Sequence, residues 1–290
     1  MKFALLLGAG GQLGRLVDIN LSPEFKLLSY PRDMLDITDR TSLGLVIEET
    51  QPDVVINCAA HTAVDKAEVE KQAAFDINAG SIENLVELLP EHTRIIHIST
   101  DFVFSDMSTR PYLPDDPVHP QSVYGKSKRA GELILLEKWA ERSTIIRTSW
   151  LYAANGRNFV NTMLRLMNER QELRIVSDQF GSPTAAEGLA KIIWGFARRD
   201  CPAGVYHWSD RGVITWFDFA CEIQRIALDI GLLANKARLI PVSTSEYPVP
   251  AKRPVYSALD SSGTEVVLDV TTRPWKDQLL DVMKEIKGTL

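Results

Sequence analysis

Met1-Lys-Phe-Ala-Leu-Leu-Leu-Gly-Ala-Gly-Gly-Gln-Leu-Gly14 is the stretch that decides the fold of this chain. A short apolar run enters a turn with glycines at positions 8, 11 and 14, and Arg15-Leu-Val-Asp-Ile-Asn-Leu21 follows with helical spacing of its apolar residues. The pattern reads as strand, glycine turn, helix. Such glycines allow a tight turn, close approach of backbone to a pyrophosphate and close packing of helix on strand, with the phosphates at the positive helix end. Gly8, Gly11, Gln12, Leu13 and Gly14 are therefore candidate cofactor contacts, although the spacing is G-x-x-G-x-x-G rather than G-x-G-x-x-G. The apolar start is too short for a signal peptide, and the glycine loop stands where a cleavage site would be expected.

Outward from this unit, strand-like runs recur at 2–7, 25–29, 53–58, 94–99 and 143–148, with helix-like stretches at 12–21, 41–50, 67–89 and 122–141 between them. This alternation predicts an α/β fold, a doubly wound parallel sheet with helices on both faces. Ligands of such sheets lie beyond the carboxyl ends of the strands, and the chemically distinctive residues follow the strands: Gly8–Gly14, Arg32, Asn57–Val64, Ser99–Phe104 and Thr148–Tyr152. The segment Met107–Gln121, with prolines at 111, 114, 117 and 120, predicts a long loop, of a length often found to be functional. Beyond residue 150 the periodicity loosens into helices at 158–170, 185–198, 215–231 and 275–287 and strands at 173–176 and 204–208. We expect residues 1–152 to form the nucleotide-binding unit, with a return of the chain near 171–200, and residues 153–290 to form mainly a smaller mixed lobe.

The 290 residues are 45% hydrophobic and can bury a large core, and the net charge of −6 argues against a general nucleic-acid surface. No apolar segment approaches the roughly 20 residues of a membrane span, so a cytoplasmic protein is expected. Cys58, Cys201 and Cys221 lack C-x-x-C spacing and read as buried thiols, while the five histidines form no ligand cluster, so no metal is expected.

Ser122-Val-Tyr-Gly-Lys-Ser-Lys128 places Tyr124 and Lys128 four residues apart, on one face of a helix. An ammonium beside a phenol favours the phenolate, which would let Tyr124 exchange a proton near neutral pH, as ketone reduction requires. The spacing arises by chance on many helices, and its weight here comes from the glycine loop that precedes it. After the second strand, Ser29-Tyr-Pro-Arg32 puts a cation where an NAD-preferring fold would carry an acid, so Arg32 suits a 2′-phosphate, with Asp33 as a rival ribose contact. Asp36 and Ile37 are candidates to flank an adenine ring, and Asp39 reads as a helix cap.

Gly8-x-x-Gly11-x-x-Gly14, Asn57-Cys-Ala-Ala60, Ser99-Thr-Asp101 and Tyr124-x-x-x-Lys128 together resemble the extended short-chain dehydrogenase/reductase family over the whole chain. Within it, His61–Glu68, Ser99–Phe104, Arg147-Thr-Ser-Trp150, Asp178–Thr184 and Arg253-Pro254 are similar to the dTDP-4-dehydrorhamnose reductase family. The resemblance implies a Rossmann-like doubly wound sheet with a smaller mixed α/β substrate-binding lobe. It implies reduction of the C4 ketone of a dTDP-linked 6-deoxy-4-hexulose by NADPH, with NADH as a second option. By position it makes Tyr124 the proton donor, Lys128 the partner that lowers its pKa and holds the nicotinamide ribose, and Thr100 a hydrogen-bond donor to the carbonyl. Ala59, Ala60 and Thr62 fall on cofactor positions, and Thr62, Val64, Asp101, Phe102, Trp150 and Arg253 on substrate positions. Arg253 would meet the substrate diphosphate, Thr184 would cap a helix, and Asn78 lies near the site without a catalytic assignment.

Three features depart from the family pattern: Phe102 stands where a Tyr is common, Gln121-Ser122 opens the Tyr124 helix where Asn is common, and Arg15 occupies a place that is acidic in some relatives. A metal-assisted dimer is accordingly not assumed, and a homodimer stays open. Two rival readings remain. A non-catalytic NADP-binding regulatory subunit similar to the methionine adenosyltransferase β subunit would not need Thr100, Tyr124 and Lys128 together. An epimerase or dehydratase would hold NAD tightly, and the Glu expected after Asp101 in a dehydratase is absent.

Overall fold

The computed structural model describes residues 1–105 and 108–289. Its first half alternates β1 (Lys2–Leu7), α1 (Gln12–Ile19), β2 (Phe25–Tyr30), α2 (Arg40–Thr50), β3 (Val54–Asn57), α3 (Val64–Ala67), α4 (Lys71–Phe75), a π-turn (Asp76–Gly80), α5 (Ser81–Leu88), β4 (Arg94–Thr100), α6 (Val123–Lys138) and β5 (Ser143–Thr148). The second half runs β6 (Leu151–Tyr152), α7 (Phe159–Glu169), β7 (Glu172–Val176), β8 (Phe180–Gly181), β9 (Thr184–Ala185), α8 (Ala186–Arg198), β10 (Gly204–His207), β11 (Ile214–Thr215), α9 (Trp216–Asp229), β12 (Arg238–Val242), α10 (Ser262–Leu268) and α11 (Trp275–Gly288).

The main sheet has the order β10-β5-β4-β3-β1-β2, and every pairing in it is parallel. A parallel sheet covered on both faces selects continuous apolar strands, and Ala4–Leu7 and Val54–Ile56 are almost wholly buried. One core layer joins α1 and α8 to one face, and a second joins α2 and α5 to the other. The return of the chain expected near 171–200 brings α8 into the core against the main sheet, and the strand that joins the sheet, β10, follows it. β7 pairs with β12 in a separate two-stranded sheet, and β10 completes the main one. β12 tolerates Pro241 because Arg238 and Val242 bond toward β7, which turns the intervening Pro241 nitrogen away from the ladder. A third core, built from α7, α9, α11 and β7, belongs to the second half of the chain.

The helix expected at 67–89 is instead α3, α4, the π-turn and α5. π-Turns concentrate at functional sites. Here the turn aims Asn78 at the loop after β3: its amide oxygen accepts from the His61 N–H at 2.8 Å, and its amide nitrogen donates to the His61 carbonyl and to Ser127 Oγ of α6. Gly131 lets α6 approach the Asn78 carbonyl, where any Cβ would collide.

The first residue of the long loop expected at 107–121, Met107, lies outside the described residues. The remainder is held by a buried ion pair. Arg147 of β5 grips Glu132 of α6 through two bonds of 2.9 Å and donates a third to the Pro114 carbonyl. Burying both charges is tolerable because Ser99 and Arg129 also donate to Glu132. The loop thereby enters α6 at a fixed angle, with Ser122 capping the helix by accepting from the Gly125 N–H at 3.1 Å.

Candidate active site

β1 delivers Gly8 with φ +79°, a left-handed conformation that disfavours side chains, and a Cβ at Gly8 would lie 2.6 Å from Ala59 N. Gly14 packs α1 onto the Gly8 carbonyl so closely that a Cβ would overlap it. Gly11 caps α1 with no side chain, so the first-turn amides face outward as an anion-binding end. Gln12 fixes the loop laterally by donating to the Leu151 carbonyl at 3.2 Å, and Leu13 is core.

A cleft of about 550 Å³ runs from this loop to Trp150. It brings together Gly11, Gln12, Leu13 and Gly14 of the glycine turn, Ala60, Thr62 and Val64 after β3, and Thr100, Asp101 and Phe102 after β4. Tyr124 and Lys128 of α6 and Trp150 complete it. An adjoining recess carries Gly8, Arg32, Asp36, Ile37, Ala59 and Ala60. These surfaces fit a dinucleotide: a glycine cradle that a Cβ would fill, an anion-binding helix end, and a cation at Arg32. Asp36 accepts from the Thr38 N–H and hydroxyl, which hold its carboxyl below the usual range, and Asp39 caps α2 as expected.

Arg253 is the expected site residue that lines neither recess. Its guanidinium makes a bidentate pair with Asp65 at 2.7 and 3.1 Å, so the cation expected to meet the substrate diphosphate already has a carboxylate partner. Thr184 does not cap α8. Ala185 holds the cap position, and its N–H donates to Asp210. The cysteines are partly rather than fully buried, and Cys58 lines the cleft. Among the described residues no His, Cys, Asp or Glu group could hold a metal, and no helix is long and apolar enough to cross a membrane.

Thr100 caps the turn after β4, its Oγ accepting from the Phe102 N–H at 3.2 Å and donating to Asp101 Oδ1 at 3.1 Å. Gly125 allows α6 to touch the Phe102 carbonyl, and Phe102 meets the Tyr124 ring edge-on at 5.5 Å. The Tyr124 hydroxyl is pushed up to about 12 by burial, with a hydrogen bond to Thr100 opposing and the Asp101 charge adding. The expected depression by Lys128 is absent, because Lys128 Nζ turns inward, donating to the Ile98 carbonyl at 2.7 Å and lying 3.1 Å from His97 Nε2. Burial brings Lys128 down to about 8, opposed by Glu132 and Cys58. Burial also raises Asp101 to about 6 against the hydroxyls of Ser257 and Thr100.

Trp150 takes φ +46°, a strained value for an aromatic residue, and its indole fills the space over Gly181, where a Cβ would come within 2.7 Å. Trp216, which no local pattern in the sequence singled out, stacks on it. Ser149, within the expected Thr148–Tyr152 segment, also lines the cleft, and so does Arg157, which was not expected there.

The family model described as the RmlD substrate binding domain matches residues 1–287. The spore coat polysaccharide biosynthesis protein SpsK of Bacillus subtilis (strain 168) is 39% identical over 287 residues, 98% of each chain. The dTDP-4-dehydrorhamnose reductase of Aggregatibacter actinomycetemcomitans is 36% identical over 293 residues, 97% of this chain and 98% of that one. Among solved structures, the dTDP-4-dehydrorhamnose reductase of Bacillus anthracis in complex with NADP matches with a TM-score of 0.91 at 35% identity, covering 98% of this chain and 99% of that one. With its fold and nearly its whole length in common with these proteins, the chain belongs to the RmlD substrate binding domain family, the family of the dTDP-4-dehydrorhamnose reductases.

Proposed function

We propose that this protein reduces the C4 ketone of dTDP-4-dehydro-6-deoxy-L-mannose, giving dTDP-L-rhamnose, with NADPH as the preferred reductant, and that it does so in the cytoplasm. The observation that carries the reading is the meeting of the glycine turn with Thr100, Tyr124, Lys128 and Trp150 in one cleft. When bound, the reduced nicotinamide supplies the hydride. Tyr124 holds the proton for the nascent alkoxide at its hydroxyl, and the high pKa of that hydroxyl keeps it protonated until charge develops on the substrate oxygen. Thr100, whose hydroxyl donates to Asp101 before substrate binds, turns that proton to the same oxygen, so that both hydroxyls serve the developing charge.

Gly8, Gly11, Gln12, Leu13 and Gly14 are assigned to the pyrophosphate, Arg32 to a 2′-phosphate, Asp36 and Ile37 to the adenosine end, and Ala59, Ala60 and Lys128 to the nicotinamide half. Thr62, Val64, Asp101, Phe102 and Trp150 are assigned to the sugar nucleotide. Residues 1–152 with α8 and β10 then serve the cofactor, and most of 153–290 serves the substrate. The test is to incubate the protein with NADPH and the dTDP-4-keto sugar and identify the product by NMR. Stoichiometric NADPH consumption with formation of dTDP-L-rhamnose supports the reading. A different 6-deoxyhexose replaces the substrate stereochemistry, and no consumption rejects the reductase.

A further inference from the structure

Behind the cleft, five polar groups form a buried chain from the loop after β3 to the carbonyl of Ile98. The Ala59 N–H donates to Asn57 Oδ1 at 3.0 Å. That bond fixes the orientation of the Asn57 amide, so its nitrogen faces His97 Nδ1 at 3.2 Å and donates to it. Asn57 and His97 are register partners on β3 and β4 and are 1% and 0% exposed, so water cannot substitute for a missing partner. A neutral His97 that accepts at Nδ1 carries its proton on Nε2, aimed at Lys128 Nζ 3.1 Å away. The chain closes without conflict if Lys128 is an amine that accepts from Nε2–H and donates to the Ile98 carbonyl. A protonated Lys128 must instead donate to Nε2. The ring proton then moves to Nδ1, Asn57 must turn over, and its amide nitrogen confronts the Ala59 N–H.

We propose that His97, oriented by Asn57 and the Ala59 N–H, is a positioning residue for Lys128, and that the His97 tautomer reports and biases the protonation of that lysine. The proposal rests on the reading of Lys128 as a member of the catalytic group. It ties the charge of Lys128 to the backbone of a loop lining the proposed cofactor recess. The groups that face Lys128 are His97 of β4, Cys58 after β3, and Glu132 of its own helix. Glu132 is committed to Arg147, and burial holds the Cys58 thiol up at about 12, which leaves His97 as the neighbour able to change. Burial, with Lys128 adding to it, holds His97 well below the usual imidazole range, so the ring responds by moving its proton rather than by gaining one.

The test uses the full chain carrying ¹⁵N-histidine and ¹³Cε-lysine, titrated by NMR from about pH 6 to 10, with the resonances assigned from His97→Gln and Lys128→Met. The expected result is a His97 ring with the proton on Nε2 at high pH that shifts to Nδ1 at the midpoint where Lys128 takes up its proton. A single tautomer throughout, or two unrelated midpoints, overturns the proposal. In His97→Gln the amide rotates to offer either oxygen or nitrogen, so the Lys128 midpoint should rise by about half a unit or more, and the alkaline limb of kcat/KM should move with it. An unchanged Lys128 midpoint in folded His97→Gln likewise overturns it. Absence of reductase turnover in the wild-type protein would reject the proposed function while leaving the NMR result decisive for His97.

Discussion

Trp150 lies flat on Trp216, with ring centroids 3.5 Å apart and planes 10° from parallel. The pair joins the residue before β6 to the first residue of α9, so the wall of the cleft nearest the third core is set by a helix that lies outside the main sheet. A strained backbone at Trp150, of a kind that costs about 1–3 kcal/mol, persists because the stack and the tight seat over Gly181 hold the indole in one place.

Trp216→Ala should therefore loosen Trp150 without touching the glycine turn. We expect kcat/KM for the dTDP-sugar to fall about tenfold, the upper scale of a stacked pair, with the Kd for NADPH unchanged. Equal losses in both would show that the stack supports the fold rather than the substrate side of the cleft.

Tyr124→Phe removes the hydroxyl and retains the ring that meets Phe102. Turnover should drop by roughly 10²-fold or more, the scale of general acid catalysis, with cofactor binding preserved. Lys128→Met should lower turnover and weaken cofactor binding together. Steady-state kinetics with fluorescence titration of NADPH separates the two effects, and near-normal turnover in folded Tyr124→Phe protein would remove the proton-donor assignment.

Arg32 is exposed at the rim of the recess that holds Asp36 and Ile37. Arg32→Glu replaces a partner for a 2′-phosphate with a repelling charge, so kcat/KM should fall far more for NADPH than for NADH. Equal losses would assign Arg32 to the shape of the loop alone.

Asp210 is buried beneath α8, and burial raises its carboxyl from 3.8 to about 7 against hydrogen bonds from the Ala185 N–H and Gln278. Between those values the folded state binds more protons than the unfolded state. The stabilisation is complete below the unfolded pKa and is lost as pH rises through the folded one, at up to about 1.4 kcal/mol per unit. Asp101 acts in the same direction up to about pH 6, and Lys128, whose folded value of about 8 lies below 10.5, acts oppositely above it. Asp210→Asn keeps an acceptor for Ala185 and removes the titration. The fall in Tm between about pH 4 and 7 should be shallower in the variant, as differential scanning calorimetry at matched ionic strength would read. An identical fall would place the pH response elsewhere.

The sequence by itself determined the β1, glycine turn and α1 unit, the four strands that follow, the helices α2 and α6 among them, and the cap at Asp39. These follow from apolar periodicity, glycine sterics and short-range hydrogen bonding, which act over a few residues and so are written locally. It also named the residues that the fold gathers into the cleft, because in a parallel α/β sheet the segments after the strands converge at one edge. Tertiary structure decided which partners those residues take. Arg253 pairs with Asp65, 188 positions away, and Lys128 turns toward His97, 31 positions away, rather than toward Tyr124. The π-turn that aims Asn78 at His61, the pairing of β7 with β12, and the stack of Trp216 on Trp150 were decided in the same way. Each depends on the distance and burial that remain once helices and strands have packed, and residues that are far apart in the chain carry no local pattern of that contact.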